Sequence, residues 1–159
     1  MVDGASVPRR LSSMHARTIC HATEDFARVE QALRTVVGDS VVERSGTEGV
    51  HGNVIEVLES SVDDETKILD MLGRISPGDL AEIGSSLDER MDDACQVFLR
   101  LDKQEAYAGL LRLTAGEDVV AVRLKVRAFP AKRAIASRIV MDLLEEVKST
   151  RRPDSVDPG

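Results

Sequence analysis

The chain has no tryptophan, one tyrosine and three phenylalanines among its 159 residues. Its core must therefore be aliphatic, built from Leu, Ile, Val and Ala. Cysteine is equally scarce. Cys20 and Cys95 stand far apart and form no CxxC pair, a usage that fits a reducing cytosol better than a disulfide framework. No apolar run approaches the roughly 18 residues that a membrane helix needs. The N-terminal MVDGASVPRRLSS has no apolar stretch of signal-peptide length. No membrane partner is expected, and the expected location is the cytoplasm. Catalytic motifs are missing as well. Without a GxSxG turn, a Walker loop or a paired-carboxylate motif, nothing argues for an enzyme. His15, Cys20, His21 and Cys95 show no metal-ligand spacing, so neither a metal nor a cofactor is expected.

What is present is a soluble, globular balance of 42% apolar and 31% charged residues. The length suits one domain and can bury a sizeable core without staples. The net charge of −7 argues against a nucleic-acid ligand until its distribution is read. Residues 54–95 carry three basic and twelve acidic residues, whereas 96–138 carry nine basic and four acidic. The chain is polarised along its length, one acidic section preceding one basic section.

Periodicity predicts an α+β domain over 14–149, with a disordered leader over 1–13 and a flexible tail over 150–159. Met14 is itself a candidate start. A strand is expected over Met14–Cys20, and then a helix capped by Thr23 with Glu24 and Asp25 in its first turn. Val41–Arg44 and Val54–Ser60 read as a hairpin around the Gly-rich SGTEGVHGN. The acidic section reads as two helices, the first capped by Asp63 or Asp64. The second opens on Ser76-Pro77, with Asp79 as a capping-box partner, and its apolar stripe runs to Met91. Strands follow over CQVFLRLDKQ, over Leu110–Thr114 and over Val119–Phe129. A last helix opens at Pro130. This order implies a mainly antiparallel sheet with helices packed over one face.

The strand from Val119 to Phe129 holds the unusual pattern. Val120, Val122, Leu124 and Val126 alternate with Ala121, Arg123, Lys125 and Arg127, so the cations share the face opposite the core. Cations on alternate positions stand about 7 Å apart, a spacing comparable with that of phosphates along a strand. The alternative is a solvated outer face paired with acids from a neighbour. Lys132 and Arg133 then fall in the first turn of the last helix, the wrong end for cations but one that offers free N–H groups to an anion. Arg138 extends this group, and Arg100, Lys103 and Arg112 fall on strands expected beside it. Asp102-Lys103-Gln104 reads either as an exposed turn or as an RNA contact, with Lys103 on a phosphate and Gln104 on a base edge or 2′-hydroxyl. His51 and Asn53 flank a glycine in the HGN turn, where the backbone could approach a ligand or simply turn. Phe98 and Tyr107 are candidates for base stacking or for packing.

Four segments in order, HATED, HGN, FLRLDKQEAYAG and VRLKVRAFPAKR, resemble the archaeal RNA-binding domain proteins labelled as predicted exosome subunits. The resemblance runs from about Met14 to Lys148. It implies a fold similar to the ribosomal large-subunit protein that contacts five-S RNA, RNA as ligand, and an association with exosome or other RNA-processing proteins. It places the family's Lys-Gln on Lys103 and Gln104 and its basic segment on Ala131, Lys132 and Arg133. The leading expectation is a non-enzymatic RNA-binding module. Two alternatives stand beside it: a homodimer or protein-interaction module that sets the basic strand face against an acidic partner, and a nucleotide-processing enzyme.

Overall fold

The structure is a computed structural model that describes residues 9–48 and 54–150. His51, Asn53, the tail from 151 and the leader up to residue 8 lie outside the described residues. Alternation decides the sheet. On the strand β5 (Val119–Val126), Val120, Val122, Leu124 and Val126 are buried, while Ala121, Arg123 and Lys125 are exposed. The other strands are β1 (Leu11–Cys20), β2 (Glu43–Glu48), β3 (Val54–Val62) and β4 (Gln96–Asp102). All pairings are antiparallel, in the order β2-β3-β1-β5-β4. Ala16, Thr18, Leu58, Leu99 and Val122 point to one side and are buried.

Helices α1 (Phe26–Val37), α2 (Glu65–Gly73) and α6 (Arg133–Thr150) contact the strands on that side. Their apolar stripes close the core: Leu33 and Val36 from α1, Ile68 and Leu72 from α2, Val140 and Leu144 from α6. Between α2 and β4 lie α3 (Pro77–Ser85) and α4 (Leu87–Arg90), and α5 (Lys103–Tyr107) follows β4 directly. The fold is α+β, with the sheet covered on one face and open on the other.

Several local details differ from the sequence expectation, each for a reason in hydrogen bonding. Leu11–Ser13, assigned to the leader, are the first residues of β1. The backbone N–H groups of Arg10 and Leu11 donate to the Glu65 carboxylate at 2.7 and 2.9 Å, and Arg10 pairs with both oxygens of Glu146. The cap of α1 is Asp25 rather than Thr23, its carboxylate accepting from Ala27 N at 3.0 Å. Gly38 ends that helix at φ +67, a conformation that suits glycine. Asp64 and Ser76 cap α2 and α3 as expected. Asp79 completes no capping box, because its carboxylate accepts from Leu113 N at 3.0 Å. The expected second acidic helix breaks at Ser86, whose hydroxyl bonds the Glu82 carbonyl at 2.6 Å, and Met91 leaves the helix to bridge Val97. Leu110–Thr114 is not a strand. It lies along the edge of β4 with one bridge, Leu101 to Leu113, closed by Asp102 N to the Arg112 carbonyl at 2.9 Å and Thr114 N to the Arg100 carbonyl at 3.0 Å, while Leu113 N faces away from β4 toward Asp79. β5 stops at Val126, and α6 starts at Arg133 rather than Pro130.

Leu58 sits on β3 at 0% exposure, among the helices of the covered face. Leu58→Ala is expected to lower unfolding free energy by about 2–5 kcal/mol, read by urea denaturation. Val41→Ala, at a site 79% exposed, is expected to change it by no more than about 0.5 kcal/mol.

Candidate nucleic-acid interface

Residues paired across an antiparallel ladder point the same way, so the register defines the open face row by row. One row runs Arg100 on β4, Ala121 on β5, Arg17 on β1 and Glu59 on β3. The next runs Phe98, Arg123, His15 and Ser61, and a third sets Gln96, Lys125 and Ser13 side by side. Paired positions stand about 5 Å apart and successive rows about 7 Å apart. Arg17, Arg100, Arg123 and Lys125 thus gather within three neighbouring strands around Phe98. All four cations are exposed.

Their partners are few. Arg100 donates to the Gly116 carbonyl at 2.5 Å and Lys125 to the Ala94 carbonyl at 3.2 Å. Among the described residues none of the four makes an ion pair. Glu59, opposite Arg17, is engaged by His15 Nε2 at 2.8 Å. On the other half of the face Glu43 stands opposite Glu59 on β2 and β3, whereas Glu56, held by Arg44 through two bonds, lies on the covered side with Leu58 and Cys20. The open face is therefore divided, basic on β4, β5 and β1 and acidic on β3 and β2. Arg17 was not among the candidate residues. The alternation of His15, Arg17 and Ile19 against Ala16, Thr18 and Cys20 contained its orientation, but nothing local said that β1 lies beside β5.

The remaining candidates are distributed as follows. Arg127 continues the exposed side of β5 beyond its end, its guanidinium 5.5 Å from the Phe129 ring. Lys132 is exposed, and its carbonyl accepts the first helical bond of α6 from Ala136. Arg133 turns to the acidic section, bonding the Asp88 carbonyl at 2.7 Å and its carboxylate at 3.4 Å. Arg138 is exposed on α6. Arg112 pairs with Glu105 at 3.5 Å. Gln104 is exposed on α5 and donates to Asp118 at 2.9 Å.

Lys103 is a correction. Expected to grip a phosphate from an exposed turn, it is buried at 3% exposure. Asp102 caps α5 by accepting from Glu105 N, and the turn so formed carries Lys103 inward. Its Nζ meets the Ile19 carbonyl at 2.7 Å, Glu24 at 3.1 Å and Asp118 at 3.0 Å. An ammonium has three donors, and all three are taken. Lys103 ties β1, the segment before α1, and the turn before β5 to the end of β4.

Residues 13–126 match the profile of a protein family described as RNA binding. The chain belongs to this RNA-binding family. It is 33% identical over 143 residues to the RNA-binding protein PAB1135 of Pyrococcus abyssi, covering 84% of this chain and 93% of the relative. Its fold matches Mth689, a DUF54 protein from Methanothermobacter thermautotrophicus, with a TM-score of 0.74 and 30% identity over 86% of this chain and 99% of the other. A UPF0201 protein from Methanococcus jannaschii shares the fold alone, at a TM-score of 0.61 and 16% identity, over 83% and 98% of the two chains. In this member of the RNA-binding family the matched span contains every row of the open face, and ends before Arg127, Lys132 and Arg133.

Among the described residues no group of three His, Cys, Asp or Glu side chains is placed to hold a metal ion, and no helix is long and apolar enough to cross a membrane. Around Lys103, burial pushes the Asp118 carboxyl up, but hydrogen bonds from Gln104 and Lys103 outweigh it and hold the group below its ordinary value of 3.8. A carboxylate held low in the folded protein stabilises it above the unfolded value, and that stabilisation is lost as pH falls through the folded value. The stability difference between the parent and Asp118→Asn is therefore expected to be constant near neutrality and to shrink as pH drops below about 4, as measured by thermal unfolding at stepped pH. Lys103→Met removes the ammonium shared by the Glu24 and Asp118 carboxylates and the Ile19 carbonyl. It is expected to destabilise the fold by about 3 kcal/mol in urea denaturation.

Proposed function

We propose that this RNA-binding family member holds RNA on the basic half of its open sheet face. One observation carries the reading: Arg17, Arg100, Arg123 and Lys125 share an uncovered surface with no carboxylate paired to any of them. Like charges about 5–7 Å apart repel one another, and a protein with a net charge of −7 has acids enough to neutralise them. It sets those acids elsewhere. A polyanion laid on β4, β5 and β1 removes the repulsion and releases its own condensed counterions. Arg127 and Lys132 prolong the basic surface past the end of β5. Arg112, Arg133 and Lys103 are engaged by Glu105, Asp88 and the Glu24–Asp118 pair and are left out of it.

Phosphate contacts of this kind position a nucleic acid without reading its sequence. The protein acts as a non-enzymatic binding module. An exosome or other RNA-processing partner, implied by the resemblance, would reach the bound RNA from the solvent side, since the helices occupy the other face of the sheet. The similarity to an RNA-binding protein of Pyrococcus abyssi supports RNA as the ligand.

The triple variant Arg17→Ala, Arg123→Ala, Lys125→Ala tests the face. Filter binding or fluorescence anisotropy at several salt concentrations is expected to show at least about tenfold weaker RNA binding near 0.1 M salt. The slope of log affinity against log salt should fall by roughly 2, since each phosphate contact contributes about 0.7–0.9. Arg112→Ala and Arg138→Ala should leave both nearly unchanged. A folded triple variant that binds as tightly as the parent would remove the open face from consideration.

A further inference from the structure

The four aromatic rings of the chain are not treated alike. Arg44 lies 3.9 Å over Phe26, Arg28 lies 4.3 Å over Tyr107, and Arg127 lies 5.5 Å from Phe129. Phe98 is different. It stands on the open face, 43% exposed, opposite Arg123 across the ladder and two positions from Arg100. Two guanidinium groups are within easy reach. Among the described residues, however, no cation and no second ring covers it. A cation over a ring at an exposed site is worth about 0.5–1 kcal/mol, and three of the four rings take that contact. Phe98 keeps its π-face free in the middle of the cations that the RNA-binding reading assigns to phosphate.

We infer that Phe98 is a stacking platform for an unpaired base, so that the RNA held on this face is single-stranded or a loop. The inference rests on the open face being the RNA surface. A base inside a duplex has both faces covered by its neighbours, and only an unpaired base can offer its ring to a side chain. The shape of the site agrees. A flat sheet cannot enter the deep, narrow major groove of an RNA duplex, but a single strand can lie along β5 with phosphates on Arg123 and Lys125 and a base turned onto Phe98. Stacking accepts any base, so the contact adds affinity for unpaired RNA without reading its sequence.

The absence of tryptophan gives a direct probe, because Phe98→Trp introduces a single indole. Its emission is expected to be quenched on titration with a mixed-sequence single-stranded 12-mer and not with a 12-base-pair RNA duplex. In anisotropy, Phe98→Ala is expected to weaken single-strand binding about five- to a hundredfold, Phe98→Tyr to retain it, and the duplex affinity to stay the same in all three. Equal losses on single strand and duplex, or no loss in Phe98→Ala, would overturn the platform while leaving the cationic face intact. Circular dichroism of Phe98→Ala that matches the parent shows that the loss is one of contact, not of fold. If the parent binds neither RNA, or if the triple cation variant binds both as well as the parent, the underlying reading fails and the platform with it.

Discussion

The open face depends on how β1 is registered between its two neighbours. β1 is the middle strand of five and pairs on both edges, with β3 along Met14–Cys20 and with β5 along Leu11–Thr18. Side chains on a strand alternate with a period of two, so a slip of one residue would send every side chain of β1 to the opposite face. Met14, Ala16 and Thr18 would then meet solvent, and His15 and Arg17 would be forced under α1 and α2. The aliphatic core forbids that exchange. The same constraint that buries the apolar residues of β1 holds Arg17 in the row of Ala121 and Arg100 and His15 in the row of Arg123 and Phe98. The arrangement of the open face is thus a by-product of core packing on the other side of a layer one residue thick.

That surface is electrostatically divided, and the division follows strand order. β5 and β4 come from the basic section of the chain, and β3 and β2 come from before or at the start of the acidic one. β1 lies between them and contributes to both: Arg17 to the basic half, and His15 to the acidic half through its bond to Glu59. The surplus acids of residues 63–93 sit on α2, α3, α4 and the turns around them, and among the described residues none pairs with Arg17, Arg100, Arg123 or Lys125. Only the Arg133–Asp88 contact brings a candidate cation to them. An acidic protein can therefore present a positive surface, because separating the charges across the sheet prevents its own carboxylates from neutralising the cations.

Much of the architecture was legible from local pattern. The alternation at Val119–Val126 gave the strand, its buried side and its exposed cations, because a period of two needs no partner to be recognised. Asp64 and Ser76 were legible as caps for the same reason: a cap is an interaction between residues two or three apart. Asp79 was misread because its carboxylate bonds Leu113 N, far along the chain, and Leu110–Thr114 because it makes a single bridge to β4 rather than a ladder. Lys103 was misread for a related reason. Beside Asp102 and Gln104 it looks like an exposed turn lysine. Its burial comes from Ile19, Glu24 and Asp118, and these meet only when β1, α1 and β5 are in place.

The sequence by itself determined the class of fold, the aliphatic core, the segregation of acids from bases and the cationic stripe on β5, since all of these are properties of composition and short-range periodicity. Only the tertiary structure decided which cations belong together. Arg17 joins Arg123 because β1 pairs with β5, Lys103 withdraws into an ion-pair network, and Phe98 is left with an uncovered ring. These outcomes depend on contacts between residues distant along the chain, and no local pattern carries the register that creates them.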